Sequence, residues 1–192
     1  MKILLVVATN QEINKDLFIK EDILITGVGM VNTTLYLTTK LSDSDYDLVI
    51  NMGVAGSFNS DIEVGDVVEV IEDIFSEIGF ENGKNFSEFT DFYIQSKFIS
   101  EGRTNLKKVK GITVNTVHGN EKTILDIVNR LNPDVETMEG AAVFMVCSKF
   151  EIPCIQIRSI SNKVEKRNKE SWNLPLAIKN LNKEVKQIIS EL

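Results

Sequence analysis

The 192-residue sequence predicts an α/β fold: one domain, residues 1–192, with a central mixed, largely parallel β-sheet flanked by helices. Three observations carry this. Short apolar runs of strand length recur along the chain, longer segments between several of them place apolar residues at helical spacing, and no linker, repeat or low-complexity stretch divides the sequence.

The first strand is the run Ile3 to Val7. Met1-Lys2 ahead of it suggests a signal peptide, but the run is short, and Asn10, Gln11 and Glu12 follow in place of a small-residue cleavage site. A second strand, Ile23 to Thr26, leads into a helix marked by Val31, Leu35, Leu37 and Leu41. Leu48 to Asn51 and Val67 to Ile71 read as strands. The stretch from Phe75 to Gly102 breaks the rhythm and is either a surface excursion or part of a site. Gly111 to Asn115 is a further strand, followed by a helix through Ile124, Ile127, Val128 and Leu131 that Asn132-Pro133 closes. Met138 to Phe150 is apolar over a length that indicates a buried helix. Cys154 to Ile160 is the last strand, and Pro175 to Leu192 an amphipathic terminal helix.

Composition narrows the function. Hydrophobic residues at 43% and charged residues at 26% argue against disorder. A net charge of -7 disfavours nucleic acid as a partner, because the basic runs at Lys107, Lys108 and Lys110 and from Lys163 to Lys169 are diluted by acidic neighbours. No run approaches the ~18 apolar residues of a membrane span. Cys147 and Cys154 sit in apolar settings as buried thiols, and with a single histidine they form no zinc ligand set. The expectation is a cytoplasmic protein with a small-molecule partner and neither metal nor membrane contact.

Five segments at strand ends carry possible chemistry. Gly27-Val28-Gly29 turns a strand into a helix; a dinucleotide site wants a third glycine where Asn32 stands, and two glycines suffice for a tight turn. In Asn51-Met-Gly-Val-Ala-Gly-Ser57, small residues at Gly53, Ala55 and Gly56 allow close approach of a ligand where open α/β sheets bind one, or simply make a packing turn. Glu136-Thr-Met-Glu-Gly-Ala-Ala142 sets two carboxylates three residues apart. Glu136 fits a helix start, where it complements the dipole. Glu139 lies in the apolar stretch, where an unpaired charge is costly; accepting from the two hydroxyls of a ribose would resolve that cost. In Arg158-Ser-Ile-Ser-Asn-Lys-Val164, Asn162 is either a turn residue or an amide that donates and accepts at a base edge. Glu12 follows the first strand in a polar turn, a setting in which most carboxylates are solvated.

Taken in order, these segments resemble the nucleoside phosphorylase and nucleosidase superfamily. The features are Glu12 after the first strand, the Gly27-to-Gly29 turn, Asn51 to Gly56, Val64-Gly65-Asp66, Met138-Glu139 and Ser161-Asn162, spanning nearly the whole chain. Adenine-specific members carry Asp where this chain has Asn162, and Asn there resembles members acting on 6-oxopurines. The run from Ser161 to Ile178, with Phe75-Ser-Glu, Thr116-Val-His-Gly and Glu136 to Ala142, is similar to the futalosine hydrolases, which release hypoxanthine from a nucleoside of menaquinone biosynthesis.

The resemblance implies a phosphorylase/nucleosidase-like fold, a purine-nucleoside substrate, no cofactor and a homo-oligomer. It implies that Glu12 activates water, Glu139 accepts from the ribose hydroxyls, Met138 packs along the sugar, and Asn162, beside Ser161, stabilises the leaving base. The Ala55-Gly56 backbone would line the pocket, Trp172 and Arg167 would meet the 5′ substituent, and Phe75, Phe80 or Phe86 would stack on the base. The rivals are a nucleosidase acting on methylthioadenosine or aminodeoxyfutalosine, a purine nucleoside phosphorylase, and a non-catalytic nucleoside-binding module.

Overall fold

The computed structural model describes residues 1–83 and 85–192. Among them, β1 (Ile3–Val7), β2 (Asp22–Ile25), α1 (Met30–Asp43), β3 (Leu48–Ser57) and β4 (Val67–Phe75) come first. The excursion holds β5 (Phe80–Asn82), β6 (Asn85–Ser87) and β7 (Lys97–Ile99). There follow β8 (Lys107–Thr113), α2 (Glu121–Leu131), β9 (Val135–Thr137), α3 (Gly140–Lys149), β10 (Cys154–Lys163) and α4 (Leu174–Glu191).

The sheet is mixed and largely parallel, and part of it closes on itself around β3. The first half of β3 runs parallel to β1, which carries β2 on its outer edge. Along its other side β3 runs parallel to β10. From there β10 pairs antiparallel with β4, β4 parallel with β8, and β8 parallel with β9. β9 returns antiparallel to the end of β3, with Gly56 opposite Glu136. Five strands thus form a ring and leave no free edge among themselves. β7 adds to β4, and β5 with β6 forms a separate small sheet.

Side-chain alternation along β1 divides the core. Leu4 and Val6 face a cluster with Leu37 and Leu41 of α1 and the apolar α3. Ile3, Leu5 and Val7 face the other side, against Leu181, Val185 and Ile188 of α4. In α1 the inward stripe is Thr33, Leu37 and Leu41, while Val31 and Leu35 stand exposed. The predicted stripe therefore mixed two faces of one helix. α2 has the expected stop, Asn132 in the left-handed conformation at φ 44°, and Asn120 caps its start by accepting from the N–H groups of Lys122 and Thr123. Both cysteines are buried and free. No helix of the described residues is long and apolar enough to cross a membrane.

Two expectations need correction. α3 begins at Gly140, because Val135–Thr137 is a strand that closes the ring; Glu136 is consequently a strand residue and meets no helix dipole. β3 and β10 run beyond the apolar segments that marked them, to Ser57 and Lys163.

Candidate active site

A cavity of about 520 Å³ opens where β1, β3 and β10 end and α3 begins, a size suited to a small organic ligand. Glu12, Ala55, Gly56, Met138, Glu139, Ser161, Asn162, Arg167 and Trp172 all line it.

Glu12 is buried. Its Oε2 accepts from the backbone N–H of Thr9 (2.9 Å) and from the Thr9 hydroxyl (3.1 Å), and its Oε1 accepts from the N–H of Val54 (3.2 Å). Asn182 of α4 donates to the Glu12 carbonyl, fixing the backbone too. Gly53 explains why this geometry is possible: a Cβ there would collide with Nη1 of Arg158 and lie 2.9 Å from Oε1 of Glu12. Arg158 is fully buried on β10, and its Nε and Nη2 have no partner among the described residues.

Glu139 occupies the position before α3, yet its side chain does not cap the helix. Its Oε1 instead accepts from the N–H of Gly29 at 2.8 Å. Gly29 has φ 95°, a conformation that favours glycine, so the glycine turn serves to present an N–H to this carboxylate. Burial pushes the Glu139 carboxyl above the usual range; Arg158 and the Gly29 N–H act against that, and the charge of Glu12 adds to it.

At the other end of the cavity, the pairing of β10 with β3 shifts register between Ile160 and Asn162. Such a bulge re-aims a side chain, and Asn162 reaches the cavity from it. The Ser161 hydroxyl lies 2.8 Å from Asn162 Oδ1 and 3.2 Å from the Ala55 carbonyl, while Asn162 Nδ2 donates to the Lys163 carbonyl. A Cβ on Gly56 would sit 3.3 Å from Asn162 Nδ2 and 3.6 Å from Glu136 Cγ, so these two side chains flank Gly56.

Three residues of the site, Arg158, Glu136 and His118, carried no predicted catalytic or binding role. Arg158 was visible as a cation inside an apolar strand, a position charges seldom occupy. Glu136 accepts from the backbone N–H of His118 (3.1 Å) and lies 2.7 Å from its Nδ1. His118 lines the cavity, its ring edge against Phe58. None of the three expected stacking residues does so: Phe75 packs on Phe98 in the core, Phe80 on Phe89, and Phe86 under the guanidinium of Arg130. At the mouth, the Arg167 guanidinium lies 5.2 Å from the Trp172 ring centre, and Arg167 makes no ion pair with the described residues. Among the described residues no group of three or more His, Cys, Asp or Glu is placed to hold a metal.

The sequence profile of the phosphorylase superfamily matches residues 22–190. A 5′-methylthioadenosine/S-adenosylhomocysteine nucleosidase of Psychromonas ingrahamii is 29% identical over 182 residues, covering 86% of this chain and 79% of that protein. A futalosine hydrolase of Thermus thermophilus is 24% identical over 179 residues, covering 86% and 80%. Among solved structures, a 5′-methylthioadenosine/S-adenosylhomocysteine nucleosidase from Helicobacter pylori superposes with a TM-score of 0.86 at 19% identity, covering 100% of this chain and 99% of that one. At that identity the likeness is one of fold.

Proposed function

This chain belongs to the phosphorylase superfamily, and from that premise we propose that it hydrolyses the N-glycosidic bond of a purine nucleoside, with futalosine as the substrate. The observation that carries the reading is the meeting of Glu12 and Arg158 over Gly53. One is a carboxylate held by three donors, the other a buried guanidinium whose Nε and Nη2 have no partner among the described residues.

A water molecule between them donates to Glu12 and accepts from Arg158. Glu12 takes its proton as the oxygen attacks C1′, a role worth ~10²–10⁴-fold. Glu139 accepts from the ribose hydroxyls, and its charge offsets the positive sugar as the bond to the base stretches. Met138 packs along the sugar, the Ala55-Gly56 backbone lies under the nucleoside, and Asn162, oriented by Ser161, hydrogen-bonds the base. Two carboxylates beside the attacked carbon oppose a phosphate dianion, which supports water as the nucleophile.

Futalosine is preferred because Asn162 offers both a donor and an acceptor to a 6-oxopurine, and because Arg167 and Trp172 stand at the mouth, suited to a 5′ group that ends in a carboxylate. The second reading is an adenine nucleoside such as 5′-methylthioadenosine, favoured by the name of the 29%-identical relative. The test is a product assay on futalosine, inosine, 5′-methylthioadenosine and S-adenosylhomocysteine, with and without phosphate. Phosphate-independent release of hypoxanthine from futalosine at the highest kcat/KM is expected. Phosphate-dependent release of a sugar phosphate, or preference for an adenine nucleoside, would overturn the reading.

A further inference from the structure

Departure of a purine requires a proton as well as a nucleophile. When the C1′–N9 bond breaks, its electron pair passes to the purine, and an anionic purine is a poor leaving group unless it is protonated. Asn162 cannot supply that proton: a neutral amide hydrogen-bonds but is no acid at working pH. Glu12 and Glu139 stand at the sugar end, beside Gly53 and Gly29. Gly53 and Gly56 lie about 10 Å apart along β3 at the usual strand rise, and the group that donates the proton belongs at the Gly56 end.

That end holds the sole histidine of the chain, His118. The carboxylate of its partner Glu136, a residue 5% exposed on β9, hydrogen-bonds only to His118 among the described residues, accepting from the backbone N–H and meeting ring Nδ1. A carboxylate only accepts, so Nδ1 carries a hydrogen. The other ring nitrogen, Nε2, has no partner among the described residues, and the ring lines the cavity against Phe58. Glu136 makes no ion pair with any other cation among the described residues, and a carboxylate beside an imidazole favours its charged form. The remaining charged groups lining this cavity are Lys163 from β10, whose Nζ is tied to the carbonyls of Asn59, Ser60 and Ile62, Glu165 and Arg167 after β10, and Glu12 and Glu139 at the far end.

We infer that His118, held by Glu136, is the general acid that protonates the departing purine, an inference that rests on the nucleosidase reading above. The Nε2 proton passes to N7 as the electron pair of the C1′–N9 bond enters the ring. The water oxygen bonds to C1′ and its proton passes to Glu12. The products are the free sugar and a neutral purine, and proton exchange with solvent restores His118 and Glu12. Asn162 keeps the hydrogen bond to the base edge. Glu136 is a positioning residue, acting through His118.

The test compares wild type, His118→Gln and His118→Phe on a purine nucleoside that the wild type cleaves and on 4-nitrophenyl β-D-ribofuranoside, whose leaving group departs unprotonated. Both variants are expected to lose at least about 100-fold in kcat/KM on the purine nucleoside and under about threefold on the riboside. The alkaline limb of the wild-type pH profile should vanish in His118→Gln, and Glu136→Gln should lose more kcat/KM on the purine nucleoside than on the riboside. Equal loss on both substrates, no loss, a near-normal His118→Phe (a stacking role), or an alkaline limb unchanged in His118→Gln overturns the inference while leaving the nucleosidase reading intact. If the riboside is not cleaved, the alkaline limb decides. A wild type inert on every purine nucleoside overturns both.

Discussion

Glu12 stands in a polar turn, but its carboxylate is built into the fold by donors from Thr9 and Val54. Glu12→Gln keeps the size of the side chain and removes its basicity. Turnover should fall by about two orders of magnitude or more while ligand affinity, followed by titration, changes by a small factor; near-normal turnover would return Glu12 to a structural role. Asn162 is oriented by the Ser161 hydroxyl on one side and the Lys163 carbonyl on the other. In Asn162→Asp the second oxygen meets that carbonyl as an acceptor against an acceptor unless it is protonated, and the donor toward O6 is gone. An unmade buried hydrogen bond costs about 1–3 kcal/mol. Preference for hypoxanthine over adenine nucleosides should therefore drop about tenfold or more, and an unchanged ratio of kcat/KM values would remove Asn162 from base selection. Glu139 was legible because it interrupts an apolar stretch. Glu136 was misread, since nothing local separates a carboxylate at a helix start from one in a three-residue strand; its partner His118 is 18 positions away.

The elements bearing the site were read too short for a physical reason. β3 and β10 look like strands while their residues are apolar, and they continue as strands where most of those residues turn small or polar along the cavity: Gly53 to Ser57 on one, Ser161 to Lys163 on the other. The apolar signal stops where the site begins. β9 was invisible because three residues establish no period, and two of its three are polar. The segment after β10 is a different case, legible as a basic run but silent about direction. It turns Arg167 over Trp172 at the cavity mouth. A guanidinium bonded to a carboxylate contributes about 1.5–3 kcal/mol. Arg167→Ala should thus raise KM for futalosine more than tenfold and leave inosine, which lacks the 5′ carboxylate, nearly untouched. Equal effects on both substrates would assign the carboxylate contact elsewhere.

The closed ring is the property of the whole molecule least visible in the sequence, because pairing of β3 with both β10 and β9 joins residues far apart in the chain. Inside the ring sits Asp73 on β4, fully buried. Thr113 of β8 donates to its Oδ1 and Gln156 of β10 to its Oδ2, both at 2.9 Å, while the Thr113 hydroxyl accepts from the N–H of Ala141 in the first turn of α3. Burial pushes this carboxyl up to about 6, above its ordinary 3.8, against the opposing effects of Gln156, Thr113 and Arg158. The folded chain accordingly holds a proton on Asp73 between those pH values that the unfolded chain has lost, so stability from this group falls as pH rises from about 4 to about 6 and then levels. At ~1.4 kcal/mol per pH unit, the ionised group costs about 3 kcal/mol at neutral pH relative to acid. Asp73→Asn removes the titration, and Oε1 of Gln156, without a partner among the described residues, offers the new amide an acceptor. Chemical denaturation of both proteins from pH 4 to pH 7.5 should show the variant gaining on the wild type by about 3 kcal/mol across that range, most of it below pH 6. A stability difference that does not change with pH would mean that Asp73 stays ionised throughout, held by the strands it joins.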